Sequence, residues 1–228
     1  MAKLPAQSDI VDCRRCPRLV EYRQEVARIK VRRFRDWEYW GKPVPSFGPA
    51  SARLLVIGLA PAAHGGNRTG RIFTGDRSGD WLYSALHKFG FANQPTSVDR
   101  NDGLKLIDCY ITAAIYCAPP DNKPLPSEFD SCRPYLLDEL QHLKDIQVVI
   151  ALGMIGFKTF LSARKQLGLT NPSPAPPFAH GAVARLADST TVISSYHPSQ
   201  QNTQTGKLTE KMFDDVFSKA RKVLNSRD

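Results

Sequence analysis

Residues 53–79 read RLLVIGLAPAAHGGNRTGRIFTGDRSG, and this stretch decides the fold. Its first six residues form a short apolar run with β-branched members that ends in glycine, which is typical of a buried parallel strand. The glycine-rich loop that follows can approach a ligand closely, because glycine has no Cβ. A helix is expected to begin near Gly79, so the stretch predicts a strand, loop and helix unit of an α/β protein.

The same alternation of strands and helices continues on both sides of this stretch. A charged helix is predicted at 17–34, further strands at 108–114, 147–152, 182–186 and 190–195, and further helices at 134–144, from about 156 and at 208–223. Irregular loops are predicted at 37–49 and at the proline-rich segment 171–177. This order predicts one domain over residues 1–228 with a mainly parallel sheet between helices, whose functional loops gather at the carboxyl ends of the strands.

Charge and composition limit the classes of function. The formal net charge of +9 and the crowding of arginines between residues 14 and 35 predict a polyanionic partner, with a solvated basic surface as the alternative. No run of about 18 apolar residues occurs, and the N-terminus lacks the apolar core of a secretion signal. We therefore expect a cytoplasmic, monomeric protein that does not bind membranes.

The loop after the first predicted strand carries two candidate functional residues. It contains neither a Walker motif nor a dinucleotide fingerprint, so no nucleotide cofactor is expected. Phe73 stands three residues before Asp76, which offers an aromatic face and a carboxylate to one ligand. The alternative is a core phenylalanine followed by an aspartate that caps the next helix.

A third candidate follows the last predicted strand, in SYHPSQQN at 195–202. His197 stands where the strand ends, among polar residues, which favours a hydrogen-bond donor directed at a ligand. A serine hydrolase that uses this histidine is the competing enzyme class, but the chain has no G-x-S-x-G motif to expose a nucleophile.

Four of the five cysteines are placed like metal ligands. Cys13 and Cys16 form a C-x-x-C pair, and Cys117 and Cys132 stand further along the chain. Disulfides are not expected inside a cell. An iron–sulfur cluster and zinc both accept four thiolates, and the residues alone do not decide between them. The fifth, Cys109, lies in an apolar strand and is predicted to be a buried small hydrophobe.

Together, GLAPAAHGGNRTGRIFTGD at 58–76, ITAAIYCAPPDNKP at 111–124, HPSQQN and the four cysteines resemble the uracil-DNA glycosylase superfamily, most closely its fifth family, the iron–sulfur type b enzymes. The resemblance covers the chain from Cys13 to about Thr209. It implies a three-layer α/β/α sandwich with a central, mainly parallel four-stranded sheet. It also implies a 4Fe-4S cluster with a structural role, held by Cys13, Cys16, Cys117 and Cys132.

By this resemblance the protein flips uracil, and other deaminated bases such as hypoxanthine, out of DNA and hydrolyses the N-glycosidic bond to leave an abasic site. Phe73 would stack on the base, Asp76 would stabilise the sugar cation and orient water, and His197 would donate to the base oxygen. Ala62, Ala113 and Asn202 are the further candidates for contact with the base, and Ser199 is a candidate for contact with the DNA. Arg68, Arg71 and the basic N-terminal helix are candidate phosphate contacts because of their charge.

Two departures from the superfamily refine this prediction. The fourth family has an acidic residue where this chain has Leu59, so that position cannot be catalytic here. Relatives that are strict for uracil carry asparagine near the end of the second strand, where this chain has Ala113 and Ala114, which predicts a broad range of bases. A nucleic-acid-binding protein with an iron–sulfur or zinc centre but no chemistry, and a nuclease or esterase that uses His197, are the alternative functions.

Overall fold

The computed structural model describes residues 6–226 of the chain, and the side chains of residues 9–226. The helices are α1 (Ala6–Val11), α2 (Pro17–Ile29), α3 (Gly66–Thr69), α4 (Arg77–Lys88), α5 (Pro126–His142), α6 (Gly153–Gln166), α7 (Gln200–Gln204) and α8 (Glu210–Asn225). The strands are β1 (Leu54–Gly58), β2 (Cys109–Ala113), β3 (Val148–Leu152), β4 (Val183–Arg185) and β5 (Thr191–Ser195). Short 3-10 turns occur at Arg32–Phe34 and Pro120–Asn122. The domain predicted over residues 1–228, and the prediction that the N-terminus lacks a secretion signal, both include residues outside the described range.

The strands form one sheet in the order β2-β1-β3-β5-β4. Four strands are parallel, and the short edge strand β4 runs antiparallel to β5. The mainly parallel sheet is therefore confirmed. It has the five strands that the sequence pattern predicts, one more than the resemblance implied, because the three-residue β4 pairs with the edge. Register pairs Gly58 with Ala113 and Leu152 with Ser195, so the parallel strands end together at one edge.

Both faces of the sheet are covered, which explains why its inner strands are continuous apolar runs. Alternate β1 residues point to opposite faces, as expected for a strand. Leu54 and Val56 pack with α4 and α8, while Leu55 and Ile57 pack with α5 and α6. These layers confirm the predicted sandwich of helices around the sheet. A third apolar cluster packs α1 and α2 beside the segment that follows β2.

Two helix boundaries differ from the sequence prediction for local reasons. The N-terminal helix ends at Ile29 rather than at Phe34, because Lys30 takes a left-handed φ of 56°. Helix α5 begins at Pro126, where Glu128 accepts a hydrogen bond from the backbone N–H of Leu125 at 2.7 Å. Pro134, the predicted start, lies inside that helix. Within residues 6–226, no helix combines the length and apolar character needed to cross a membrane.

Candidate active site

The carboxyl edge of the sheet brings together residues from the first and last loops. Phe73, from the loop after β1, stacks on His197, which follows β5, with ring centroids 5.8 Å apart and planes inclined by 30°. Asp76 lies three residues beyond Phe73, at the start of α4. The three residues predicted to do the chemistry therefore share one region of the molecule.

Phe73 is held in place by its surroundings, which include Gly58, Gly79 and Tyr83. Its backbone has a φ of 52°, a left-handed conformation that costs an aromatic residue free energy and needs support from its surroundings. A Cβ on Gly58 would lie 2.7 Å from the Phe73 Cζ, and one on Gly79 would lie 1.7 Å from the Phe73 carbonyl oxygen. The buried Tyr83 hydroxyl donates to the carbonyl of Ile72 at 2.9 Å. The glycines thus leave the space that the ring and its carbonyl occupy.

Asp76 is held between the N-terminus of α4 and the glycine-rich loop. Its Oδ1 accepts a hydrogen bond from the Gly79 N–H at 3.0 Å, so the residue caps α4, as the alternative interpretation predicted. A Cβ on Gly65 would lie only 2.0 Å from Asp76 Oδ2. Burial raises the pKa of Asp76, and the backbone N–H groups of Gly79 and Ser78 act in the opposite direction. The capping contact with Gly79 engages Oδ1 and leaves Oδ2 against Gly65.

His197 is neutral at physiological pH, because burial lowers the pKa of its imidazole to about 4. A neutral imidazole offers one N–H donor without a positive charge. The backbone around it is fixed by Asn202, whose side-chain amide donates to the His197 carbonyl at 2.9 Å. Ser199 caps α7 by accepting from the Asn202 N–H at 3.4 Å. Asn202 and Ser199, predicted to contact base and DNA, here shape the loop that carries His197.

The two alanines predicted at the base lie at the same edge. Ala113 ends β2 opposite Gly58 and belongs to the same apolar cluster as Phe73. The Ala62 carbonyl accepts from the backbone N–H groups of Gly65 at 3.2 Å and Asn67 at 3.1 Å, which folds the loop back on itself. Neither alanine side chain can form a hydrogen bond with a ligand.

The two arginines predicted to contact DNA are buried, which does not agree with that prediction. Arg71 is 4 % exposed and pairs with Asp102 at 2.9 and 2.6 Å, and it also donates to Thr74 and Ser97. Burial raises the pKa of Asp102, but the hydrogen bonds from Arg71 and from backbone N–H groups bring it down to about 2. Arg68 is 3 % exposed and bonds to loop carbonyls. Most of their N–H groups therefore donate to carbonyls and side chains inside the protein.

The four predicted ligand cysteines lie in one region beside α1 and α2. Cys117 and Cys132 are buried there, and Cys16 packs against them. The other three thiols all act on the pKa of Cys117, which burial raises to about 12. Within the described part of the chain, no three His, Cys, Asp or Glu side chains are arranged to hold a metal ion. Cys109 is fully buried in β2, as predicted.

Sequence reasoning missed a buried acid beneath β2. Glu139 of α5 is fully buried and accepts hydrogen bonds from Thr112 at 2.6 Å, Tyr116 at 3.0 Å and Tyr110 at 3.2 Å. Burial raises the pKa of Glu139. A glutamate on a helix ordinarily indicates a solvated face, and the only available signal was the density of hydroxyl residues on β2.

The fold and this site define a class of protein: an α/β sandwich whose candidate site, at the carboxyl edge of a parallel sheet, combines a carboxylate, an imidazole and an aromatic ring. Comparison with known proteins then identifies the family. The sequence profile of the uracil DNA glycosylase superfamily matches residues 45–221, and the chain belongs to this superfamily.

Several curated relatives share most of the chain. The Type-5 uracil-DNA glycosylase of Mycobacterium tuberculosis (strain CDC 1551 / Oshkosh) is 50% identical over 212 residues, which cover 92% of this chain and 78% of the relative. The Type-5 uracil-DNA glycosylase of Thermus thermophilus is 47% identical over 211 residues, 92% of this chain and 93% of the relative. A Type-4 uracil-DNA glycosylase of Pyrobaculum aerophilum is 32% identical over 125 residues, 54% of this chain and 56% of the relative.

Proposed function

We propose that this protein is a DNA-repair glycosylase that excises uracil from DNA by hydrolysing the N-glycosidic bond. The observation that carries the proposal is the stack of Phe73 on His197 at the strand edge where Asp76, three residues beyond Phe73, begins α4. The names of the Type-5 relatives support the same activity. A duplex hides the reacting bond inside its stack, so the nucleotide must be flipped out to reach this site.

The residues of the candidate site can stabilise the charges that develop as the N-glycosidic bond breaks. Positive charge grows on the deoxyribose, and a carboxylate at Asp76 stabilises that charge and orients the attacking water. Negative charge grows on the departing base, and the neutral His197 donates a hydrogen bond to the base oxygen that receives it. Phe73 supplies the aromatic face against which the flipped base lies.

The site also favours a broad range of bases. Ala113 pairs in register with Gly58, which lies against the Phe73 ring, and offers only a methyl group. A site that does not pair with the uracil edge loses its means of rejecting hypoxanthine and other deaminated bases, because no buried polar group is left unpaired by them. We expect Ala113→Asn to raise the preference for uracil over hypoxanthine, measured as the ratio of the two excision rates. An unchanged ratio would contradict this assignment.

A 4Fe-4S cluster is our proposal for the cysteine region, where four thiols lie within electrostatic range of one another. A cluster held by four thiolates would be anionic. The buried Arg23 lies near these thiols and would balance that charge. Its guanidinium donates to the Cys13 carbonyl at 3.3 Å, and its Nε is buried without a hydrogen-bond partner among the described residues. Cys13, Cys16, Cys117 and Cys132 would hold the cluster, which supplies cross-links between α2, α5 and the segment after β2.

The metal assignment is tested on the purified protein. We expect a brown solution with visible absorbance and about four iron atoms per chain. Cys117→Ser should lose iron and colour, while Cys109→Ser, a matched buried cysteine in β2, should keep both. A colourless wild-type protein that contains zinc would contradict the cluster.

The activity is tested with a labelled duplex that contains a single uracil. We expect release of free uracil and an abasic strand that breaks only after alkali or heat. Asp76→Asn should reduce the single-turnover rate by at least about a hundredfold, while binding to the duplex is retained. Binding without base release by the wild-type protein would favour the non-catalytic alternative, and strand breaks without alkali would indicate a nuclease.

A further inference from the structure

Arg68 of α3 is enclosed by two aromatic rings from the segment after α2. Its guanidinium carbon lies 3.8 Å from the ring centroid of Phe34 and 4.1 Å from that of Trp37. The two rings meet edge to face, with an angle of 72° between their planes. An arginine held between aromatic faces loses water but keeps its charge, because the rings attract the cation. The side chain is therefore fixed in place as a buried cation.

The hydrogen bonds of Arg68 reach both sides of the Asp76 carboxylate. Its Nε donates to the carbonyl of His64 at 2.8 Å, and its Nη2 donates to the carbonyl of Gly75 at 2.8 Å. His64 directly precedes Gly65, where there is no room for a Cβ beside Asp76 Oδ2, and Gly75 directly precedes Asp76 itself. One guanidinium thus ties the loop that walls the carboxylate to the backbone that carries it.

The charge of Arg68 is not cancelled by an ion pair within residues 9–226. Its Nη1 is buried and has no hydrogen-bond partner among these residues, and no carboxylate of theirs lies within ion-pair distance of the side chain. The nearby acids whose ionisation it favours are Tyr39 and Asp76, and Asp76 is the carboxylic acid of the two. In a site with little water, such a charge acts over a longer distance than at the surface.

We propose that Arg68 is a positioning residue for Asp76: its charge and its hydrogen bonds to the His64 and Gly75 carbonyls hold the carboxylate in place. The inference rests on the proposed function, in which Asp76 acts as a carboxylate. It gives a buried arginine a role in the reaction although the side chain does not touch the substrate.

The charges around Asp76 set the direction of the pH effect. Burial raises the pKa of Asp76, Asp80 on α4 raises it further, and Arg68 lowers it. The pKa values of His64 in the loop and of His197 are lowered chiefly by burial, which favours the neutral form of both imidazoles. Removing Arg68 therefore raises the pKa of Asp76, so the ionised form appears only at higher pH.

The test is the pH profile of single-turnover uracil excision for the wild-type protein, Arg68→Gln and Arg68→Lys. In Arg68→Gln we expect the acidic limb to move to higher pH, together with a fall of about tenfold or more in the plateau rate. In Arg68→Lys the charge remains but both hydrogen bonds and the ring contacts change, so the plateau should fall while the limb moves less. Arg164→Gln, which removes another buried guanidinium far along the chain, should leave the limb in place.

The outcomes separate this inference from the proposed function. A limb in Arg68→Gln that coincides with the wild-type limb overturns the electrostatic part of the inference, and a wild-type plateau in Arg68→Lys overturns the positioning part. Full activity of Asp76→Asn overturns the proposed site instead. Should Arg68→Gln fail to fold, Phe34→Leu keeps the guanidinium and loosens its enclosure. That variant should lower the plateau, and a wild-type rate in it overturns the inference.

Discussion

Replacing Gly65 by alanine adds one methyl group at the wall of the Asp76 site. The new Cβ would lie 2.0 Å from Asp76 Oδ2 and 2.9 Å from its Cγ. Real Cβ atoms essentially never approach another heavy atom closer than 3.0 Å, so the carboxylate or the loop must move by about 1 Å. No direct contact with the substrate is removed by this change.

The structure gives the expected magnitude for Gly65→Ala. A displacement of about 1 Å in a catalytic group can cost about a hundredfold in rate, which corresponds to roughly 2.7 kcal/mol in the activation free energy. Since Asp76 also caps α4, we expect a loss of about 1 kcal/mol in the free energy of unfolding, the cost of a weakened cap. The rate should therefore suffer more than the stability.

Single-turnover uracil excision and thermal unfolding, measured on the same preparations, check this prediction. Gly168→Ala is the matched control. A Cβ added at Gly168 has no other atom within 4 Å, but the φ of 76° at this position makes alanine costly to the fold. A left-handed alanine costs about 1–2 kcal/mol, so the control should lose as much stability as Gly65→Ala while keeping its rate. A wild-type rate in Gly65→Ala would refute the packing argument for Asp76, and equal rate losses in both variants would show only a general effect of stability.

Three further predictions concern pH. Burial lowers the folded-state pKa of His197 to about 4, so folding favours the neutral ring. The free energy of unfolding therefore falls as the pH drops from 6.5 toward 4. His197→Gln should flatten that part of the pH profile of stability. Asp102 has the opposite sign of charge change, with a folded-state pKa of about 2. The hydrogen bonds that it accepts from Arg71 and from the backbone N–H groups of Leu104 and Val98 together contribute roughly 2 kcal/mol above pH 3.8, which is lost as the pH falls toward 2. In Asp102→Asn, urea unfolding should show a lower stability at about pH 7 and a smaller loss in acid. Burial raises the pKa of Glu139, so its charge opposes folding increasingly above pH 4.5. The melting temperature of Glu139→Gln should therefore rise relative to that of the wild type as the pH increases. A difference that stays constant with pH would contradict this.

Most of the fold could be predicted from the pattern of apolar residues along the chain. The apolar runs that became β1, β2, β3 and β5 were recognisable because strands buried on both faces need no polar residues. The sequence predicts that helix α5 begins at Pro134, but the capping contact of Glu128 begins it at Pro126. A proline inside a helix can be tolerated where its neighbours supply the stability, and the local pattern does not show this.

The candidate site was predictable in its members more than in their contacts. Phe73, Asp76 and His197 come together because parallel strands end at one edge, and the order of strands and loops along the chain is enough to apply that rule. The sequence does not reveal which arginines face solvent. Arg68 and Arg71 looked like DNA contacts from their charge, but each guanidinium satisfies buried loop carbonyls or a carboxylate that only the folded chain brings near.

The dual attachment of Asp76 links the folding of α4 to the chemistry. Its Oδ1 supports the first turn of α4, and its Oδ2 lies against the Gly65 wall of the loop. Asparagine keeps an oxygen that can cap the helix but removes the charge, while alanine removes both. We therefore expect alanine at position 76 to lower the stability of the molecule as well as its rate, and asparagine to lower mainly the rate.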